Sequence, residues 1–293
     1  MDAPDEALQA RIATVIGKPP TTWRKAAGGY TSAQRWIVGF DDGTSGFAKS
    51  AAAAPHSPMD EWLRREHYVY SRLHADFMPR MLGWDDESVQ PLLILEDLSA
   101  AHWRPGDIEA VFATLAKVHA SHLDIPTVAE TDPGLTTPWL PVRDDPQPLL
   151  SLGLCSQAWL QAALPLLIDA ARVADLSGPS LLHLDTRSDN ICFDGSRARL
   201  VDWNFAAHGN PDLDIAAWLP SLHSEGGPLP EEVLPNAPQW AALMSGFFAS
   251  RAGDPPIPNA PGVREVQLSQ LRSALPCVQR ALRLPPLDGP NAP

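Results

Sequence analysis

Residues 181–202 read LLHLDTRSDNICFDGSRARLVD. Polar residues stand at set intervals in this stretch: Asp185, then Asn190, then Asp202. Between the last two lie an apolar run (191–193, ICF), a turn at Asp194-Gly195 and a second apolar run (198–201, ARLV). That order spells a β-hairpin, which returns Asp202 to the side of Asn190. Phosphoryl transfer needs a carboxylate at the attacking hydroxyl and hard oxygen ligands for Mg²⁺ on the phosphates. Asp185 fits the first need, and Asn190 with Asp202 the second. A His-x-Asp triplet alone carries no weight. An ordinary loop with Asx side chains capping its turns is the plain alternative, and the added hairpin and second Asp decide against it.

Working outward, the first third reads as strands with one helix. Residues 22–27, 33–40 and 44–50 have strand character, with Asp42-Gly43 as a hairpin turn between the last two. Ser57-Pro58-Met59-Asp60 is a helix start, with Ser as N-cap and Pro at the first helical position. The helix carries Trp62, Val69, Tyr70 and Leu73 at helical spacing. Residues 91–95 (PLLIL) form a short apolar strand. Beyond residue 100 the pattern is mostly helical, over 107–122, 155–175, 212–222, 238–250 and 263–282. A β-rich segment followed by a helical one predicts an α+β fold in two lobes. The break is expected near residue 98, giving a small β-rich N-terminal lobe (1–98) and a larger, mostly helical C-terminal lobe (99–293).

HLDTRSDNICF…LVDWNFAAHGNPDLDIAAWL resembles the core of the aminoglycoside phosphotransferase and choline-kinase-like enzymes. The resemblance extends upstream through LAKVHASH (115–122), LLILEDL (92–98) and FAKS (47–50). It implies a two-lobed protein-kinase-like fold with an ATP cleft between the lobes. Asp185 would orient or deprotonate the substrate hydroxyl, and Asn190 and Asp202 would hold Mg²⁺. Asp214 matches the family's buried Asp that braces the catalytic loop, and Glu96 and Leu98 of LLILEDL would lie along the nucleotide. ATP and GTP are not distinguished. The chain departs from the family in having Leu184 where Gly usually follows the motif His, and Asn204 where Glu is frequent.

Lys49 lies on the third strand, where a kinase places the lysine that meets the α- and β-phosphates. Glu66 is its expected partner, because it falls on the apolar face of its helix and a carboxylate there needs a cation. Glu61, in the first turn, suits the helix dipole instead. Gly28-Gly29-Tyr30-Thr31-Ser32 occupies the position of a glycine-rich phosphate cover, although no GxGxxG is present. Gly29, Thr31 and Ser32 are its candidate nucleotide contacts; a plain hairpin turn is the equal alternative. Arg187, two residues after Asp185, could approach the transferring phosphoryl group or form a salt bridge within the loop. His183 is expected to brace the loop. His119 and His122 have helical metal spacing but no further ligands with them. Trp103 and Trp139 could line a substrate wall.

Composition narrows the partners. The chain has 293 residues, 44% hydrophobic and 19% charged, with a formal net charge of −13. That balance disfavours nucleic acid and anionic membranes, and it is compatible with a cationic acceptor. The acidic opening MDAPDEALQ is unlike a secretory signal, and the longest apolar run (162–168) is far short of a span. A cytoplasmic protein is expected, with no obligatory protein partner evident. The three cysteines have no metal or redox spacing. The function these readings predict is transfer of the ATP γ-phosphate to a hydroxyl of a small polar molecule, such as an aminoglycoside or another amine-bearing compound. The Pro-rich stretch 132–148, with Asp144 and Asp145, and the acidic stretch 223–232, with Glu225, Glu231 and Glu232, are its expected acceptor loops. Only eleven residues separate Asp202 from Asp214, with no APE element, so a protein acceptor is disfavoured. The rival from another class is a catalytically inactive nucleotide-binding scaffold, against which the intact Asp185, Asn190, Asp202 and Lys49 set argues.

Overall fold

A computed structural model describes residues 3–26, 28–31, 33–51, 58–86, 90–103, 107–258 and 260–293. By compactness the chain divides into two units, Met1–Val118 with Ser188–Ala206, and His119–Arg187 with Ala207–Pro293.

The first unit is built on an antiparallel sheet of order β1-β2-β3-β5-β4. Its strands are β1 (Pro20–Lys25), β2 (Gln34–Phe40), β3 (Ser45–Ser50), β4 (Met81–Asp85) and β5 (Leu92–Glu96). Gly43, in the left-handed region at φ 81°, closes the turn between β2 and β3. Strand periodicity then sorts the side chains. Trp36, Val38 and Phe40 of β2, Ala48 of β3, and Leu92 and Ile94 of β5 bury one face against Leu8 and Ile12 of α1 (Glu6–Ile16). Arg35 and Ile37, cross-strand from Lys49 and Phe47, fall on the other face.

Helix α1 is an addition to the expected order. Its signal is in the sequence: Asp5 caps it by accepting the Leu8 amide at 2.8 Å, and Gly17 ends it at φ 71°. Helix α2 (Pro58–Arg72) lies where expected and buries Leu63, Glu66, Val69 and Tyr70. Its predicted cap, Ser57, is outside the described residues. Helix α3 (Ile108–His119) packs on the hairpin of β7 (Ile191–Asp194) and β8 (Arg197–Leu200), where the Thr114 hydroxyl donates to the Ala198 carbonyl at 3.2 Å.

The second unit is a helical core. The Pro-rich stretch 132–148 and its flanks coil into α4 (Val128–Thr131), a 3₁₀ turn (Pro133–Thr136), α5 (Leu140–Asp144) and α6 (Gln147–Ser151). The longer helices are α7 (Gln157–Arg172), α8 (Pro211–Ser224), α10 (Pro238–Ala249) and α11 (Val263–Ala281), with α9 (Pro230–Val233) a single turn. Strands β6 (Ser180–Leu182) and β9 (Ala207–Gly209) pair to flank the 183–187 loop. Trp139, Trp159, Leu167, Trp240, Leu271 and Leu275 are among the residues of one continuous core. Trp139 is 1% exposed and donates its indole N–H to the Ala242 carbonyl at 2.8 Å. It is therefore a core residue and not a substrate wall; its polar atom has a fixed partner, as a buried Trp requires. No helix among the described residues is long and apolar enough to cross a membrane.

Candidate active site

In the first unit, β3 and α2 bring Lys49 and Glu66 together, with Nζ 2.7 Å from Oε2. Glu61 instead pairs with Arg65 one turn along, at 3.3 Å. Lys49 also donates to Oδ1 of Asp202. Two carboxylates thus share one cation. Burial by itself would lower the Lys49 ammonium, but Asp202 and Glu66 beside it hold it above its usual value. The cost of the second negative charge falls on the more buried acid. Burial pushes Glu66 up to about 7 against the pull of Lys49, and the Asp202 carboxylate adds to the rise. Asp202 is 33% exposed at its side chain and stands at φ 65°, a strained conformation for a non-glycine residue.

The β7–β8 hairpin sets Asn190 and Asp202 side by side. Ile191 pairs with Leu200, and the Val201 amide donates to the Asn190 carbonyl at 3.0 Å. Asn190 itself is buried. The pair offers hard oxygen donors, and among the described residues no three His, Cys, Asp or Glu side chains group to hold an ion. Such a sparse donor set fits Mg²⁺, which keeps waters and takes phosphate oxygens beside one or two side chains.

At the glycine turn, Gly28 and Gly29 have φ of 89° and 81°. A Cβ on Gly29 would lie 2.5 Å from the Arg35 guanidinium carbon, so this glycine also makes room for a cation. Arg35 Nη2 donates to the Thr31 hydroxyl at 2.8 Å, and Nη1 to the Ala33 carbonyl at 3.1 Å and the Thr31 carbonyl at 3.3 Å. Ser32 lies outside the described residues.

Glu96 and Leu98 are engaged within their own unit. The Glu96 carboxylate accepts from Arg199 Nη2 at 2.7 Å and from the Arg80 amide at 3.1 Å, and Arg199 and Arg80 hold it below the usual carboxylate range. The Leu98 carbonyl accepts the Ala101 amide at 2.9 Å and the Trp103 indole at 3.0 Å. Arg199, which no sequence motif singled out, ties the end of β5 to the β7–β8 hairpin and to the Met78 carbonyl at 2.8 Å.

In the second unit, Asp214 at the start of α8 is wholly buried. It accepts the His183 amide at 2.9 Å, the Leu184 amide at 2.6 Å and a contact from His119 Nε2 at 3.1 Å. Two successive amides can converge on one carboxylate because Leu184 adopts φ 63°. A leucine thus holds a left-handed backbone at this position. The Asp185 amide donates to His183 Nδ1 at 3.3 Å, so the buried ring braces the loop. Asp185 and Arg187 form an ion pair, Oδ1 to Nε 3.3 Å. His119 proves to be a ligand of Asp214; its helical spacing to His122 suggested only metal.

The acidic residues of the expected acceptor loops have local partners. Asp144 pairs with Arg143, Asp145 accepts the Gln147 amide at 3.1 Å, Glu231 pairs with Arg280, and Glu232 accepts the Leu229 amide at 2.9 Å.

Solved structures share this fold. A choline/ethanolamine kinase family protein from Mesorhizobium loti aligns at a TM-score of 0.62 and 14% identity, over 95% of this chain and 97% of that one. A candidate fructosamine-3-kinase from Thermobifida fusca aligns at 0.58 and 18% identity, over 93% of this chain and 100% of that one. The amicoumacin kinase hAmiN in complex with AMP-PNP, Ca²⁺ and Ami aligns at 0.51 and 13% identity, over 96% and 92%. The mixed α+β architecture is thus kinase-like. No curated protein matches the sequence. The model of the phosphotransferase enzyme family matches residues 22–244, a span running from β1 through the lysine cluster and the Asp185 loop into α10. On that match, the chain belongs to the phosphotransferase enzyme family.

Proposed function

We propose that the chain transfers the γ-phosphoryl group of ATP, or of GTP, to a hydroxyl of a small polar molecule. The observation that carries this reading is the ion cluster of Lys49 with Glu66 and Asp202. A structural lysine needs one carboxylate. A lysine held by a buried helix acid and by the strained Asp after the hairpin is pre-placed for phosphates. Bound nucleotide with Mg²⁺ supplies the phosphoryl group and neutralises charge on its oxygens. Asn190 and Asp202 would hold the metal. Asp185 accepts the acceptor's hydroxyl proton, and Arg187 keeps that carboxylate aimed. The Glu96 carboxylate and amide and the Leu98 carbonyl have partners of their own, so the base would lie against the half-buried Ile37 and Phe47.

The acceptor is proposed to be amine-bearing. Two of the similar structures are named for kinases of fructosamine and of choline and ethanolamine, each with a hydroxyl near a nitrogen. The net charge of −13 attracts such a molecule at long range. Direct pairing with Asp144, Asp145, Glu231 or Glu232 is not part of the proposal, since each has a local partner.

The test is Mg²⁺-dependent ADP release across a panel of hydroxylated amines, sugars and antibiotics. Asp185→Ala should leave nucleotide binding nearly intact and lower kcat at least about a hundredfold, the lower range for a positioned proton acceptor. Near-normal turnover in that variant would remove Asp185 from the chemistry. Nucleotide binding without ADP release for any acceptor would favour the scaffold.

A further inference from the structure

We infer that Arg35 is a second phosphate-binding cation of this protein, carried by the glycine turn and acting beside Lys49 on the polyphosphate of the nucleotide. The inference rests on the nucleotide-binding reading above and adds a residue that neither a motif nor the charge of the sequence singled out. Its first support is register. Arg35 of β2 is the direct cross-strand partner of Lys49 of β3. Directly opposed residues of an antiparallel pair share a face, with Cβ atoms about 4.5–5.5 Å apart. The face is the one turned away from the α1 core.

Two cations on adjacent positions repel, so their juxtaposition needs a reason. The structure supplies part of one in Glu66 and Asp202, but both of these bond Lys49. Among the described residues no carboxylate is ion-paired with Arg35. The guanidinium is held by neutral oxygens only, those of Thr31 and Ala33. A carbonyl or hydroxyl oxygen orients a guanidinium without cancelling its charge. Those contacts engage three N–H directions of the five that an arginine offers.

The second support is Gly29. A positive φ alone would be met by Asn or Asp, but a Cβ here would meet the Arg35 guanidinium carbon at 2.5 Å and push the arginine from its place. The turn is therefore shaped around the arginine as well as around the backbone. In a usual glycine-rich cover, backbone N–H groups cradle phosphate. Here the same small residue admits a planar charged fork, which matches phosphate oxygens two at a time. A merely structural role, in which Arg35 only ties the turn closed, predicts something different, and the two can be separated.

The experiment compares binding of ATP, ADP and adenosine, by calorimetric titration with Mg²⁺ present, to the wild type, Arg35→Gln, Arg35→Lys, Gly29→Ala and Lys49→Met. If Arg35 reads phosphate, Arg35→Gln weakens ATP about tenfold and ADP by less, and leaves adenosine unchanged. Arg35→Lys, which keeps the charge but not the fork, loses less ATP affinity than Arg35→Gln, and the salt dependence of ATP binding becomes shallower in Arg35→Gln. Gly29→Ala, which displaces the guanidinium, copies the phosphate-selective loss. Equal losses for adenosine and ATP, or equal losses in the Gln and Lys variants, would show a loop-shaping residue and overturn the inference. Unchanged ATP affinity in Arg35→Gln while Lys49→Met loses it would overturn the inference and leave the function standing. Failure of the wild type to bind ATP or GTP would overturn both.

Discussion

Glu66 in the first unit and Asp214 in the second are both sealed from water, at 1% and 0% exposure. They are satisfied by opposite means. Asp214 has two backbone amides that cannot leave, with a histidine beside them. Glu66 has the end of a flexible lysine, which a second carboxylate also claims. Fixed dipoles stabilise a buried charge without needing another charge to stay near it. A shared, movable cation does not do so fully, and Glu66 rises to about 7 while burial dominates. One carboxylate is a permanent brace for the loop that carries Asp185. The other is a contact whose strength would change if the lysine turned toward phosphate, as the proposed function requires.

The largest effect should come from removing the brace. Asp214→Asn keeps the shape but sets an amide against two backbone donors. Each buried donor left without an acceptor costs about 1–3 kcal/mol, so urea melts should show a loss near the upper end of that range. Displacement of the loop should also lower kcat about a hundredfold, as misplacement by an ångström can do. A variant as stable and active as the parent would erase the distinction between brace and contact.

Lys49→Met is expected next. Loss of a charge-assisted contact of about 1.5–3 kcal/mol should weaken ATP binding ten- to a hundredfold by titration. The melting temperature at pH 6 should change little, because Glu66 can keep its proton there. A collapse of stability at pH 6 would mean that Glu66 is held charged.

The pH dependence sharpens the same point. Glu66 is raised from 4.5 to about 7 in the folded chain. A raised carboxyl contributes stability that is fully present below the unfolded value and is lost as pH rises through the folded one. The contribution therefore falls between about pH 4.5 and 7 and is level above. Glu66→Gln should flatten that part of the stability curve relative to the wild type, with protein free of nucleotide. Parallel curves would contradict the shift.

The smallest effect concerns Leu184. Its left-handed backbone costs about 1–2 kcal/mol, while its side chain packs on the helical core. Leu184→Ala loses the packing and keeps the strain. Leu184→Gly loses both, and should be the more stable of the two variants by about 1 kcal/mol, the reverse of the usual order. Alanine at 184 matching or exceeding glycine in chemical denaturation would show that the turn is unstrained.

Much of this was legible in one dimension. Asp185, Asn190 and Asp202 could be read because a loop and its hairpin are contiguous, and a short turn leaves one way to fold back. Glu66 could be chosen over Glu61 because helical phase alone puts it on the buried face. Helix α1 had its cap and its terminal glycine in the sequence, whereas Met81–Asp85 (MLGWD) is interrupted by Gly83 and is a strand only through its pairing with β5. The tryptophans were ambiguous because an aromatic ring suits a core and a substrate wall alike; Trp139 was decided by the Ala242 carbonyl, 103 residues away.

The sequence by itself therefore determined the α+β order, the loop and hairpin that space Asp185, Asn190 and Asp202, and the partner of Lys49, since these follow from spacing along one strand, helix or hairpin. Tertiary structure alone decided that Asp202 shares Lys49 with Glu66, that His119 serves Asp214, that Arg199 joins Glu96, and that Arg35 stands across from Lys49 under Gly29. Each of these depends on strand register or on contacts between distant segments. A residue's charge and its neighbours in sequence do not encode register, because a strand slipped by one residue has the same composition and the opposite face.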